Sequence, residues 1–185
     1  MKTIYFVRHC QSDNTVHEDR VRPLTEKGMR DAVRVTEYFR EIRVDRVVSS
    51  PYKRAMDTVS GVAQTHGLPV DTDDDLRERA VGGWVEDFDA FAGAQWADMD
   101  HALPGGESLN TVIVRSQNAL KRLLNDPSDT TVVGTHGTAL CALLHALDDG
   151  FGYADFQRIV GIMPWIVRCT FDGDRLIARE ETIFE

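Results

Sequence analysis

The hydrophobic residues of this chain alternate between short uninterrupted runs and longer stretches in which they recur at helical spacing. A short apolar run is typical of a buried strand, whereas recurrence every three or four positions is typical of an amphipathic helix. The short runs predict three buried strands, at residues 4–7, 44–49 and 131–135. The helical spacing predicts four helices, at residues 25–42, 52–66, 109–123 and 139–147. The last part of the chain predicts two strands, at 165–171 and 175–183, joined by a turn at 172–174.

Strands that alternate with helices favour a mostly parallel sheet with helices on both faces. We therefore expect an α/β fold of three layers, α/β/α, with a mostly parallel central sheet. The length of 185 residues fits one domain, and we expect residues 1–185 to form it, with a lid or insertion at about 80–104. In such sheets ligands bind beyond the carboxyl ends of the strands, so the residues after each strand are the first candidates for a functional site.

The charge and the cysteines narrow the classes of function. The formal net charge is −9, which argues against partners such as nucleic acid or an anionic membrane, because both need a basic face. A small anionic substrate remains compatible, because a few arginines can reverse the field inside one pocket. The three cysteines form no CxxC motif, so neither a disulfide framework nor a thiolate zinc site is expected. The apolar run near residue 4 is too short for a signal peptide, and we expect a cytoplasmic protein, with no indication of its oligomeric state.

Polar and charged residues follow each of the three predicted buried strands. Arg8 and His9 follow the first strand, Arg54 lies just after the second, and His136 follows the third. Because the carboxyl ends of parallel strands meet at one edge of a sheet, we expect these side chains to converge on one pocket.

Two histidines and two arginines fit the chemistry of a phosphoryl group. Guanidinium groups match phosphate oxygens in a bidentate manner, and the N-termini of the helices that follow the strands add free N–H groups. A neutral imidazole can attack phosphorus while a second one holds the transferred oxygens, so neither a metal nor another cofactor is required. A leaving alkoxide still needs a proton, and Glu78 is the candidate acid, although its position alone would equally suit a solvated loop carboxylate.

Other hydrolase chemistries fit the sequence less well. No GxSxG, HExxH or GxxxxGK[ST] stretch occurs. Only Cys169 has an arginine, Arg175, at the spacing of a cysteine-phosphatase loop, and a turn between two predicted strands separates them.

The segment Arg8-His9-Cys10-Gln11-Ser12 resembles the Arg-His-Gly-Glu-Ser/Thr signature of the histidine phosphatase superfamily, whose fold is phosphoglycerate-mutase-like. Five further segments are similar to motifs of that family and follow the family's order, at residues 23–28, 49–55, 76–79, 104–108 and 134–137. The resemblance extends from residue 4 to about residue 145, and the segment at 104–108 is similar to a motif of the phosphatase branch.

This resemblance implies a role for each matching position. His9 would be phosphorylated, and Glu78 would protonate the leaving oxygen and then activate water. The phosphoryl group would be bound by Arg8, Arg54 and His136. The substrate would be contacted by Gln11, Thr15 and Glu107.

The clearest departure from the family is Cys10, which stands where glycine is usual. One interpretation is a small hydrophobe that points into the core. The other is a thiol whose pKa is lowered by Arg8 and a helix N-terminus, which would make the activity sensitive to oxidation. The family's usual asparagine falls at Thr15, with Asn14 one position earlier.

Three functions remain open. The first is a metal-independent phosphatase for a small phosphorylated metabolite, which the short segment between Glu78 and His136 favours. A phosphoglycerate mutase would need a longer lid to retain its intermediate, and a non-enzymatic phospho-ligand module would be expected to have lost His9 or Arg54. Specificity is expected in the loops at 17–22 and 80–104. The second loop carries aromatic residues that form either an apolar lid or part of the core: Trp84, Phe88, Phe91 and Trp96.

Overall fold

The computed structural model describes residues 1–184, and this part of the chain contains six strands and six α-helices. The strands are β1 (Lys2–Arg8), β2 (Arg46–Ser49), β3 (Val70–Thr72), β4 (Thr130–Thr135), β5 (Trp165–Asp172) and β6 (Arg175–Ile183). The helices are α1 (Glu26–Phe39), α2 (Lys53–Thr65), α3 (Phe88–Ala97), α4 (Leu109–Asn125), α5 (Gly137–Leu147) and α6 (Tyr153–Ile159).

The six strands form one sheet in the order β3-β2-β4-β1-β5-β6. The first four strands run parallel to one another, and β5 and β6 add an antiparallel hairpin at one edge. The prediction of a mostly parallel α/β sheet is therefore confirmed, as are all five strands and four helices predicted from the hydrophobic pattern.

Helices cover both faces of the sheet because successive side chains of a strand point to opposite sides. In β1, Ile4 and Phe6 pack into one hydrophobic cluster with residues of α4, α5 and α6. Tyr5 and Val7 pack into a second cluster with residues of α1 and α2. The two clusters make the three layers of the predicted architecture.

The ends of two predicted helices follow from local chemistry. Thr25 caps α1, because its hydroxyl accepts a hydrogen bond from the Gly28 N–H at 3.0 Å. Gly67 follows α2 with a φ of 66°, the left-handed conformation that glycine adopts after a helix. The predicted α1 was too long at its C-terminal end, since the helix ends at Phe39 and residue 42 lies in a turn.

The hydrophobic pattern did not predict β3, α3 and α6. Strand β3 has only three residues, of which two are exposed, so no apolar run marks it. The acidic run beside it is exposed or partly exposed, but it is ordered. Asp71 belongs to β3, and the carboxylates of Asp73 and Asp75 form ion pairs with Arg122 on α4. No helix in residues 1–184 has the length and apolar character needed to cross a bilayer.

Helix α1 packs closely on the loop that follows β1. A Cβ atom at Gly28 would collide with the backbone carbonyl of Gln11. We expect Gly28→Ala to lower the free energy of unfolding by about 1–3 kcal/mol, although alanine is the better helix former. Urea denaturation would measure this, with Gly161→Ala as the control, because nothing lies within 4 Å of a Cβ there. Equal stabilities of the two variants would contradict the close packing.

Candidate active site

The carboxyl ends of β1, β2 and β4 lie side by side, and the polar residues that follow them meet there. The His9 N–H donates to the Thr135 carbonyl at 3.0 Å, and the Ser50 N–H donates to the Gly134 carbonyl at 2.8 Å. The ring centroids of His9 and His136 are consequently 5.2 Å apart. A cavity of about 1110 Å³ opens at this edge of the sheet.

The ring of His9 is held in one neutral tautomer. Its Nδ1 lies 2.7 Å from the Cys10 carbonyl, which can only accept, so the proton is on Nδ1. Its Nε2 accepts a hydrogen bond from Arg54 Nε at 3.2 Å. Burial, together with the positive charge of Arg54, lowers the pKa of His9 to about 3. The side chain therefore presents an unprotonated Nε2 at neutral pH.

The ring of His136 is fully buried beside His9, and His136 is not among the residues that line the cavity. Its Nε2 is 2.8 Å from the Ser50 hydroxyl, and the edge of the ring meets Tyr52. Burial and the nearby Arg54 lower its pKa well below the usual value. Its buried Nδ1 has no hydrogen-bond partner among residues 1–184.

The guanidinium of Arg54 is buried and paired with Asp19, a residue of the loop at 17–22. Its Nη1 donates to the Asp19 carbonyl at 2.5 Å, and its Nη2 lies 2.9 Å from the Asp19 carboxylate. The same carboxylate is 3.2 Å from Arg22. Asp19 was not identified from the sequence, where its only signal is its place in a loop expected to hold specificity.

The guanidinium of Arg8 lines the cavity, but its terminal nitrogens bind the end of α6. They donate to the carbonyls of Ile159, Val160 and Ile162 at 2.6–2.9 Å. Its Nε is buried and has no partner in the described chain. Arg8 therefore ties the end of α6 to the end of β1, and its Nε–H and the second N–H of Nη2 are left for the phosphate contact that the resemblance implies.

The carboxylate of Glu78 lies at the N-terminus of α5. Its oxygens accept hydrogen bonds from the N–H groups of Arg79, Thr138 and Ala139 at 2.7–3.1 Å. The first turn of a helix leaves such N–H groups unpaired and favours an anion. Glu78 is thus a wall residue of the cavity and is not a solvated loop carboxylate.

Glu107, predicted to contact the substrate, does not line the cavity. It pairs with Arg115 and Arg77 at 2.8 Å and accepts from the Ala80 N–H at 2.9 Å. Burial alone would raise the pKa of Glu107, but the hydrogen bonds from Arg115 and Ala80 outweigh it, and the pKa is lowered. Arg115 also donates to the Glu78 carbonyl at 3.2 Å. This ion pair therefore holds the segment that carries Glu78, and no motif in the sequence marks Arg115.

The two other predicted substrate contacts have different outcomes. Gln11 lines the cavity, and its amide oxygen accepts from the Thr25 hydroxyl at 2.9 Å. Thr15 lies outside the cavity in a turn, where its hydroxyl and N–H both bind Asp13. Asn14, one residue earlier, lines the cavity instead, so the structure does not bring Thr15 to the cavity wall.

Cys10 is a core residue. Its side chain is completely buried among the apolar residues between the sheet and α1 and α2. Burial raises the pKa of Cys10 to about 12, so the prediction of a lowered thiol pKa was wrong. In residues 1–184 only glycines have a positive φ, so cysteine fits the backbone at this position.

The aromatic residues at 80–104 divide between the two roles expected for them. Phe91 is buried, and Trp96 packs against the core. Trp84 and Phe88 instead line the cavity, and Trp84 stacks on His17 with 4.6 Å between ring centroids. The loops at 17–22 and 80–104 therefore meet across the mouth of the cavity. No three His, Cys, Asp or Glu side chains within residues 1–184 are grouped as metal ligands.

Solved structures share this fold over nearly the whole chain. A mycobacterial glucosyl-3-phosphoglycerate phosphatase aligns with a TM-score of 0.78 at 24% identity, covering 100% of this chain and 99% of that protein. YhfR of Bacillus stearothermophilus aligns with a TM-score of 0.79 at 23% identity, covering 96% and 95%. These likenesses establish the phosphoglycerate-mutase-like fold class.

Sequence comparison identifies the family within that class. The histidine phosphatase superfamily (branch 1) matches residues 4–179, and the chain belongs to this superfamily. The “Probable phosphoglycerate mutase GpmB” of Salmonella choleraesuis is 27% identical over 188 residues, which cover 91% of this chain and 79% of that relative.

The two buried histidines make the stability depend on pH. His9 stays neutral in the folded protein down to about pH 3, whereas an unfolded histidine titrates near 6.5. The unfolded state therefore binds more protons between these values, and the stabilisation present above pH 6.5 is lost as the pH falls. We expect the free energy of unfolding to decrease by about 1.4 kcal/mol per pH unit for each such histidine. Urea denaturation at pH 7, 6 and 5 should show a shallower dependence for His9→Gln, and an identical slope would contradict the lowered pKa.

Proposed function

We propose that the protein is a metal-independent phosphomonoester hydrolase that acts on a small phosphorylated metabolite through a phosphohistidine at His9. The observation that carries this proposal is the state of the His9 ring. Its Nδ1–H donates to the Cys10 carbonyl, and its unprotonated Nε2 lies beside Arg54 at the wall of the cavity. A neutral imidazole nitrogen of this kind is a nucleophile that needs no prior deprotonation.

In the first step, Nε2 of His9 attacks phosphorus, so that an N–P bond forms while the P–O bond to the alcohol breaks. The Arg54 Nε–H, which binds Nε2, must then turn to a phosphoryl oxygen. A His136 that accepts the Ser50 hydroxyl proton at Nε2 carries its own proton on Nδ1, and this N–H adds a second donor. The Nε–H of Arg8 adds a third, so three N–H groups stabilise the charge on the phosphoryl oxygens.

Glu78 is assigned the proton transfers. It gives a proton to the leaving oxygen in the first step and takes one from the water that attacks phosphorus in the second. The N–P bond then breaks, His9 is regenerated and inorganic phosphate leaves. The position of Glu78 supports this role, because its carboxylate lines the cavity at the N-terminus of α5, where the phosphoryl group would also be stabilised.

Phosphoglycerate mutase is the second candidate, since relatives such as the one from Salmonella choleraesuis carry that name. A mutase must keep the phosphoenzyme away from water until the product rebinds. The segment between Glu78 and His136 contains one short lid helix, α3, and leaves the cavity open at the mouth, which favours hydrolysis. A purely ligand-binding role is the least favoured, because His9, Arg54 and His136 are all present and in contact or close to one another.

The nucleophile can be tested by trapping the phosphoenzyme. We expect rapid quenching during turnover of p-nitrophenyl phosphate, in excess EDTA, to give an acid-labile phosphohistidine at His9. His9→Ala should lose both the label and the turnover, because His9 is the imidazole that lines the cavity and accepts a hydrogen bond from Arg54. The control is His17→Ala, which removes another imidazole from the same cavity and should retain the label. Turnover by His9→Ala, or a need for added magnesium, would refute the mechanism.

The acid can be tested by varying the leaving group. We expect Glu78→Gln to slow hydrolysis of an alkyl phosphate by about 10²–10⁴-fold and that of p-nitrophenyl phosphate much less, because nitrophenolate leaves without protonation. The control is Glu86→Gln, another carboxylate at the cavity wall. Equal losses for both substrates in Glu78→Gln would mean that Glu78 serves binding or structure instead.

A further inference from the structure

We propose that the substrate is a phosphomonoester whose alcohol is uncharged and largely apolar, and that the site discriminates against phosphorylated acids. This inference rests on the proposed hydrolase function and names its substrate class. It follows from the chemistry of the cavity walls beyond His9, where the alcohol part of a substrate must lie.

Apolar side chains from two directions form the outer walls of the cavity. The lid segment contributes Trp84, Val85 and Phe88, and the segment after α6 contributes Val160 and Met163. Trp84 is 72% exposed, and its indole has one ring contact, the stack on His17. An exposed indole at the mouth of a cavity is a surface on which an apolar or aromatic group can be buried. Phe156 and Ile159 lie behind Val160 and Met163 and are buried in the core.

The arginines at the cavity have few donors left for a second acidic group. Arg8 donates to three backbone carbonyls at the end of α6. Arg54 and Arg22 share the carboxylate of Asp19, and Arg22 also donates to backbone carbonyls of its own loop. Once Arg54 turns to the phosphoryl group, Asp19 still neutralises Arg22.

The fourth arginine, Arg79, has no carboxylate partner in residues 1–184 and its Nε has no hydrogen-bond partner, but the residue is only 3% exposed. Its Nη1 donates to the buried Gln95 amide oxygen at 2.7 Å. Its guanidinium lies 5.0 Å from the ring centroid of Phe91 and 5.5 Å from that of Phe88, so aromatic faces cover it. This packing fixes the guanidinium against the lid helix.

Carboxylates at the same walls would repel a second acidic group on the substrate. Asp13 and Glu86 line the cavity, and Asp13 binds Thr15 through hydrogen bonds that lower its pKa and keep it ionised. A carboxylate or a second phosphate on the substrate would approach these groups without an exposed, unpaired cation at the described walls to balance it, because Arg8, Arg54 and Arg79 are buried and Arg22 is paired with Asp19. Selection against an acid therefore arises from like charges as well as from the absence of a partner.

The test compares three phosphates of primary alcohols, so that the leaving groups are similar: 2-phenylethyl phosphate, glycerol 3-phosphate and 3-phosphoglycerate. We expect kcat/KM, measured as released inorganic phosphate, to be highest for the phenylethyl ester, by about tenfold or more, and lowest for 3-phosphoglycerate. A preference for 3-phosphoglycerate would overturn this inference and leave the hydrolase intact. Interconversion of 3-phosphoglycerate without phosphate release, or no reaction and no label on His9, would overturn the proposed function itself.

Two variants test whether the residues of the cavity walls determine this substrate selectivity. Trp84→Ala should lower the ratio of kcat/KM for the phenylethyl ester to kcat/KM for glycerol 3-phosphate by roughly twofold to tenfold. Val85→Arg should raise the ratio of 3-phosphoglycerate to phenylethyl turnover by about tenfold, since it adds an unpaired cation. Val33→Arg is the matched control, because Val33 is an exposed residue of α1 outside this cavity. These ratios do not depend on the fraction of folded protein, and unchanged ratios in both wall variants would refute the inference.

Discussion

Burial of the His9 imidazole beside Arg54 is the constraint on which the rest of the site depends. A histidine in water would be partly protonated near neutral pH and free to rotate. Here the Cys10 carbonyl fixes the proton on Nδ1, and burial next to a guanidinium disfavours a second proton. The same two contacts orient Nε2, so the nucleophile is prepared by the fold before any substrate arrives.

Each charged side chain around His9 is balanced by a neighbour on another element. Asp19 balances Arg54, the N–H groups of α5 balance Glu78, and the carbonyls of α6 accept from Arg8. These contacts join loops and helices that are far apart in the sequence to the ends of β1, β2 and β4. Because these contacts hold Arg8 and Arg54 at one edge of the sheet, a chain with a net charge of −9 can still present cationic groups to an anionic substrate.

The core of the site could be predicted because it depends on strand ends. A buried strand appears in the sequence as an apolar run, and in a parallel sheet the residues that follow such strands lie at one edge. It could therefore be predicted from the sequence that His9 and His136 lie close together, as they do in the structure. Glu107 and Thr15 could not be placed in this way, since each lies beyond a turn whose direction the hydrophobic pattern does not encode. The pairing of Asp19 with Arg54 is a contact between a loop and a helix, and no periodicity marks it. Whether Cys10 is a core residue or a reactive thiol depends on its burial, and the residue type alone does not show whether a position is buried.

The neutral tautomer of His9 can be observed most directly by ¹⁵N NMR of the imidazole nitrogens between pH 4 and pH 8. We expect Nδ1 to be protonated and Nε2 to be unprotonated over this whole range, with chemical shifts that do not change with pH. A proton on Nε2, or a titration of His9 with a midpoint near pH 6.5, would contradict the account of the nucleophile.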